Sequence, residues 1–185
     1  VYSVFEIKVL ARTQFTLPSI TQPSNKSLKI NWGDGFTDTI FGGISDLTHI
    51  FAGGLVPHTI TIEECDFTSI TELSLDAAGL NNRIESIILS RDLVSCSSLN
   101  INYSYDLIAL TIPDTMVKLS KLYLIDASSL SSLSIPSSIT SLTELVATNI
   151  GSITSLNISR LWKDLVFFDI SYSSLDVESV NQILV

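Results

Sequence analysis

The sequence predicts a mainly β protein: a small β-sandwich over residues 1–66, then a short solenoid of 23-residue units over residues 67–185. Three observations lead there. First, 45 of the 185 residues are hydroxylated (29 Ser and 16 Thr), and Leu and Ile number 25 and 23 against a single Met, while only 16% of residues are charged. Branched aliphatics and hydroxyls suit short strands and a repetitive core better than a helical bundle. Second, the first third alternates apolar and polar residues with a period of two. Third, from Ile70 onward aliphatic pairs recur at a fixed spacing.

In the first region six strands are predicted: Tyr2–Ala11, Gln14–Pro18, Ser27–Trp32, Phe36–Phe41, Thr48–Phe51 and His58–Glu63. Turn-forming residues separate them: Pro18 through Asn25, Gly33-Asp34-Gly35, Gly42-Gly43, and Gly53-Gly54 with Pro57. Six of the eight glycines fall in this stretch. Leu28-Lys29-Ile30-Asn31-Trp32 and Thr59-Ile60-Thr61-Ile62-Glu63 alternate as strands with one buried face do.

In the second region the pairs are Leu73/Leu75, Ile87/Leu89, Leu99/Ile101, Leu110/Ile112, Leu122/Leu124, Leu133/Ile135, Leu145/Ala147, Leu156/Ile158 and Phe168/Ile170. Residues 99, 122, 145 and 168 step by 23, and so do 87, 110, 133 and 156. A helix would need apolar residues at i, i+3, i+4 and i+7, and the pattern is broken at Pro113, Pro136 and the Ser-rich spacers. The spacing predicts a coil of 23 residues with two short strands per turn, aliphatics inward, stacked so that each coil buries its neighbour.

These residues carry a resemblance. Phe168-Asp-Ile-Ser-Tyr-Ser-Ser-Leu175 and Leu73-Ser-Leu-Asp-Ala-Ala-Gly-Leu80 resemble leucine-rich repeats, with Ser173 and Ala78 where that family has Asn. Leu107–Met116 and Leu130–Ile139 are similar to the LxxLxIPxxV pattern of BspA-like repeats. The Asn ladder is absent, and the spacers vary in length. Phe15-Thr-Leu-Pro18, Leu28-Lys-Ile-Asn-Trp-Gly-Asp-Gly35, Thr48-His49 and Thr59-Ile-Thr-Ile62 resemble a WGDG-containing, PKD-like β-domain. Leu175 to Leu184 looks like a closing, helix-like segment. The resemblance implies a sandwich followed by a leucine-rich-repeat solenoid, as in bacterial surface proteins and phage virion or tail-fibre proteins. It implies a location on a virion or cell surface. It further implies a non-catalytic role in display or attachment, without cofactor, with protein or glycan on a host surface and other virion proteins as partners. A decoration protein without a ligand, a secreted adhesin and a polysaccharide depolymerase are the competing readings.

Charge narrows the partners. Ten basic and nineteen acidic residues give a net charge of −9, and the basic residues are scattered singly. Nucleic acid and anionic membrane both select a clustered basic face, so neither is expected as a partner. No apolar run reaches the ~18–20 residues that a membrane span needs, so insertion is not expected either. No basic segment leading into an apolar core marks a signal peptide at the N-terminus. A homo-oligomer is compatible with everything above. Cys65 and Cys96 stand 31 residues apart with no CxxC, which points to two buried free thiols rather than zinc, although a disulfide stays open.

The chemistry-bearing residues are few. Asp34 and Asp38 could hold calcium, but a Gly-Asp-Gly turn explains Asp34 without metal. Trp32 is expected in the core, and His49 and His58 in structural or surface roles. Glu72, Asp76, Glu144 and Asp169 are the strand carboxylates that could act on a glycosidic bond, but a solvated face is the commoner explanation for such acids. Outward positions on one strand series mix aromatics and charge, as contact surfaces do. They supply the candidate ligand-binding set: Glu72, Asn100, Asn102, Lys121, Tyr123, Glu144, Phe167 and Asp169. The other series is expected to be a face of small hydroxyls: Ser86, Ser90, Thr111, Ser132, Ser134, Ser155, Asn157 and Ser159.

Overall fold

The computed structural model describes residues 5–52, 55–63, 66–76, 83–154, 156 and 162–175. Among them the chain is mainly β, and one 3-10 turn, Phe67–Ser69, is the helical content. The strands of the first region are β1 (Glu6–Arg12), β2 (Gln14–Thr21), β3 (Ser27–Asn31), β4 (Thr37–Phe41), β5 (Ile44–Ile50) and β6 (Val56–Glu63). The second region supplies β7 (Glu72–Ser74), β8 (Ile84–Ile88), β9 (Ser98–Asn100), β10 (Ala109–Thr111), β11 (Lys121–Tyr123), β12 (Glu144–Val146) and β13 (Phe167–Asp169).

Two sheets contain all of these strands. One runs β10-β8-β1-β6-β3-β4, the other β13-β12-β11-β9-β7-β2-β5. Successive strands from β7 to β11 alternate between the sheets, which gives a solenoid-like arrangement of about four turns. Pairing among β1 to β6 is antiparallel, and pairing among the coil strands is parallel. Both sheets run across the 66/67 boundary, because β1 pairs with β8 and β2 with β7, each antiparallel.

The register explains why the join holds. Ile44, Ile20, Leu73, Leu99, Leu122, Leu145 and Phe168 lie directly opposite one another through all seven strands of one sheet. Ile60, Ile7, Ile87 and Leu110 do the same in the other. A slip by one residue would turn each column outward, so burial of these aliphatics fixes the register. They belong to a single hydrophobic cluster that also takes in the coil corners Leu93, Met116, Ile139 and Trp162, again 23 residues apart. The predicted inward pairs are buried wherever they are described, except that Phe168 and Ile170 are partly covered.

Hydroxyls stitch the corners. Ser97 Oγ donates to the Thr71 carbonyl at 3.2 Å, Ser120 Oγ to Ser97 at 3.0 Å and Thr143 Oγ1 to Ser120 at 3.0 Å. Another corner repeats the device, with Ser138 Oγ donating to Asp114 at 2.6 Å. A third turn is made by Tyr103, Asp126, Asn149 and Tyr172, all with φ between 53° and 60°. Left-handed backbone costs a non-glycine residue about 1–2 kcal/mol. Stacking offsets it: the amides of Tyr103, Asp126 and Asn149 donate to Ile125, Thr148 and Ser171 of the next coil at 2.6, 3.0 and 2.9 Å.

The structure moves several predicted boundaries. β2 continues through Pro18 to Thr21, and β5 begins at Ile44 rather than Thr48. Pro18 is tolerated because it faces Asp46, whose φ of 51° interrupts the ladder there. Leu133 makes only an isolated bridge, to Leu156. The start of the predicted first strand, Cys65, Ala78, Ile158 and the closing segment from Asp176 lie outside the described residues.

Candidate functional site

Parallel stacking places the outward side chains of one sheet in two rows. Glu72, Ser98, Lys121, Glu144 and Phe167 form the first, and Ser74, Asn100, Tyr123, Val146 and Asp169 the second. Seven of the eight candidate residues therefore share one face, although they are spread over nearly a hundred positions of sequence. Lys121 Nζ lies 3.0 Å from Glu144 Oε1, and the Tyr123 hydroxyl donates to Glu144 Oε2. The hydrogen bonds from Tyr123 and Lys121 hold the Glu144 carboxyl below its ordinary range, and the same contacts with Glu144 raise Tyr123 and Lys121. Next to this cluster Phe167 is 52% exposed.

Asn102 departs from the prediction. It is buried, and its Oδ1 accepts from the Ile125 amide of the next coil at 2.8 Å. It lies beyond the strand end, where the chain has already begun to turn, so the outward alternation no longer applies. Asn100 and Asp169 also work locally, accepting from the amides of Asn102 and Ser171 at 3.1 and 2.9 Å. The opposite face is less uniform than its composition suggests. Ser90 is buried, and Ile88 and Ile108 are 43% and 49% exposed among the hydroxyls. Ser155, Asn157 and Ser159 lie outside the described residues.

The WGDG segment builds a second cluster. Gly33 has φ 81°, and a Cβ there would meet the Thr59 carbonyl at 2.5 Å, so only glycine fits. Asp34, with a side chain 1% exposed, accepts from His49 Nε2 at 2.9 Å, the Ala52 amide at 3.0 Å and the Phe36 amide at 3.1 Å. Burial alone would raise its carboxyl. The three donors outweigh burial and hold it at about 2. Asp38 accepts instead from Trp32 Nε1 at 2.8 Å. The two aspartates thus bind different protein donors, and no group of three metal-ligating side chains is found among the described residues.

Above this turn the rings form a chain. Trp32 stacks on His49 at 4.6 Å, His49 meets Phe51 edge-on at 5.2 Å, and Phe51 stacks on His58 at 4.0 Å. Trp32 and His58 are buried, and His58 Nε2 has no hydrogen-bond partner among the described residues. This stack was not legible in the sequence: its members come from three separate segments, and nothing in their spacing links them. Cys96 is a free, buried thiol, pushed up by that burial to about 11.

The fold and face define the class, a mainly β chain with a solenoid-like stack of coils and one mixed aromatic and charged face. No helix among the described residues is long and apolar enough to cross a membrane. Comparison with family models, curated proteins and solved structures found no match.

Proposed function

We propose that this chain is a non-catalytic display or attachment protein of a virion or cell surface. On this reading it binds protein or glycan on a host surface through the face carrying Glu72, Asn100, Lys121, Tyr123, Glu144, Phe167 and Asp169. The finer architecture proposed with it is a PKD-like sandwich followed by leucine-rich repeats. One observation supports the reading most: the parallel register gathers Lys121, Tyr123, Glu144 and the exposed Phe167 onto three adjacent strands. Strands ~4.8 Å apart hold these groups on a stiff support, which lowers the entropy cost of binding. The test is binding to host cells and to a glycan array by the triple variant Tyr123→Ala, Glu144→Ala, Phe167→Ala. We expect at least a tenfold loss of affinity with an unchanged far-ultraviolet spectrum, a loss equivalent to about 1.4 kcal/mol. Unchanged binding would remove this face from the proposal.

A specific observation favours a second reading. Both oxygens of Glu144 are already bonded, to Lys121 and Tyr123. A purely structural decoration protein would use such a cluster to tie β11 to β12. In that case the triple variant would lower thermal stability and leave adsorption of the particle unaltered.

A further inference from the structure

We propose that β4 is a self-association edge, through which two copies of the chain pair antiparallel about a two-fold axis at Thr39. The observation is the phase of its hydrogen bonds. Among the described residues β4 ends its sheet and pairs only with β3, in the register Asn31↔Thr37, Ile30↔Asp38, Lys29↔Thr39, Leu28↔Ile40 and Ser27↔Phe41. At either end, the Trp32 amide donates to the Phe36 carbonyl at 3.1 Å and the Gly42 amide to the Lys26 carbonyl at 2.7 Å. Alternate residues of an antiparallel strand turn their peptide groups to opposite sides. Phe36, Asp38, Ile40 and Gly42 therefore bond toward β3. The N–H and C=O groups of Thr37, Thr39 and Phe41 point away from it and have no partner among the described residues.

Unpaired edges are commonly blunted by Lys, Pro or a bulge. The edge of the other sheet is blunted: Asp46 in β5, with φ 51°, breaks its outer row. β4 has no Lys, Pro or bulge, and its one charged side chain, Asp38, is half-buried and bonded to Trp32 Nε1. Its sequence is Thr-Asp-Thr-Ile-Phe, and the aromatic rings Phe36 and Phe41 flanking its centre are 58% and 75% exposed.

The edge fits a second copy of itself. With Thr39 on the axis, Thr39 faces Thr39, Thr37 faces Phe41 and Asp38 faces Ile40, so no like charges oppose. Thr–Thr and aromatic–Thr cross-strand pairs are favourable. Asp38 keeps its negative charge, but one carboxylate oxygen accepts from Trp32 Nε1 at 2.8 Å, and in this register it faces the uncharged Ile40. The three outward N–H groups and three outward C=O groups of one copy meet those of the other, making six hydrogen bonds in an interface of one surface with itself.

The same phase supplies a clean test. Thr39→Pro removes an outward N–H and leaves the β3 ladder intact. In sedimentation velocity the full chain is expected to form a dimer as concentration rises, and T39P to weaken dimerisation at least tenfold with an unchanged melting curve. T39K and T39E are each expected to be monomeric alone, because like charges then meet on the axis, and to dimerise when mixed. If T39P fails to fold, the T39K and T39E pair decides. A chain that stays monomeric at all concentrations would overturn the proposal, as would a dimer or longer polymer indifferent to all three substitutions. So would a monomer whose β4 edge takes up only an extended peptide of another protein.

Discussion

Asp34 shows how one short side chain can hold a corner of the fold. It joins the β3–β4 turn to the end of β5 through His49 and the Ala52 amide, and so ties an edge strand of one sheet to an edge strand of the other. Its carboxyl is lowered from the ordinary 3.8 to about 2. A depressed carboxyl contributes stability that is present above about pH 4 and is lost as the pH falls toward 2. The contribution at neutral pH, allowing for solvent screening, is about 1 kcal/mol. Asp34→Asn should therefore melt below the wild-type chain at pH 7, and the difference should shrink toward zero near pH 2. A difference in melting temperature independent of pH would show that packing, not charge, makes the bond matter.

Other residues behave less economically. Ser104 Oγ and His58 Nε2 are buried without a hydrogen-bond partner among the described residues. Ser104 stands in a column whose next two members are the buried Ala127 and Ile150, so its hydroxyl lies against an apolar stretch of that corner.

At the level of the element, the coil explains the composition. Each turn needs inward aliphatics, outward polar groups and donors for the corner carbonyls, and Ser and Thr supply the last two at small volume. The ion pairs follow the same period: Arg83 with Asp106, Arg91 with Asp114, and Lys121 with Glu144 each join residues 23 apart. They lie at the surface, where such pairs contribute little individually. The weight is carried by the aliphatic columns. Leu122, fully buried between Leu99 and Leu145, should be among the most sensitive positions. Leu122→Ala is expected to destabilise by about 2–5 kcal/mol in urea unfolding, through lost transfer energy and the cavity left behind. A loss below 1 kcal/mol would mean that the coils can close over the gap.

Across the whole molecule, the antiparallel strands do for the coils what a terminal cap does in other repeat proteins. β1 covers the open side of β8, and β2 that of β7, with Ile7 and Ile20 continuing the aliphatic columns. Removing residues 1–66 would expose both strand edges and the side of the core that they close. A fragment of residues 67–185 should therefore aggregate or unfold without a cooperative transition. A monomeric fragment that melts at the temperature of the full chain would show that the coils need no cap.

The 23-residue period and the β character were legible in the sequence because both follow from local rules: side-chain alternation, and the return of one residue type to one place in a coil. Seven of the eight candidate residues share one sheet face, since residues at matching places in successive coils stack. The period failed at Asn102 and Ser90, which lie past the strand ends, where alternation no longer says which way a side chain points. It gave no sign of the ring stack around His49, nor of the pairing of β1 with β8 and β2 with β7. Those are contacts between segments with no shared period, chosen by how whole columns of aliphatics could be buried together. What the sequence determined alone was the repeating unit. What only the tertiary structure decided was how that unit begins, because the first coil has no preceding coil and must bury its open edges against strands built on another pattern.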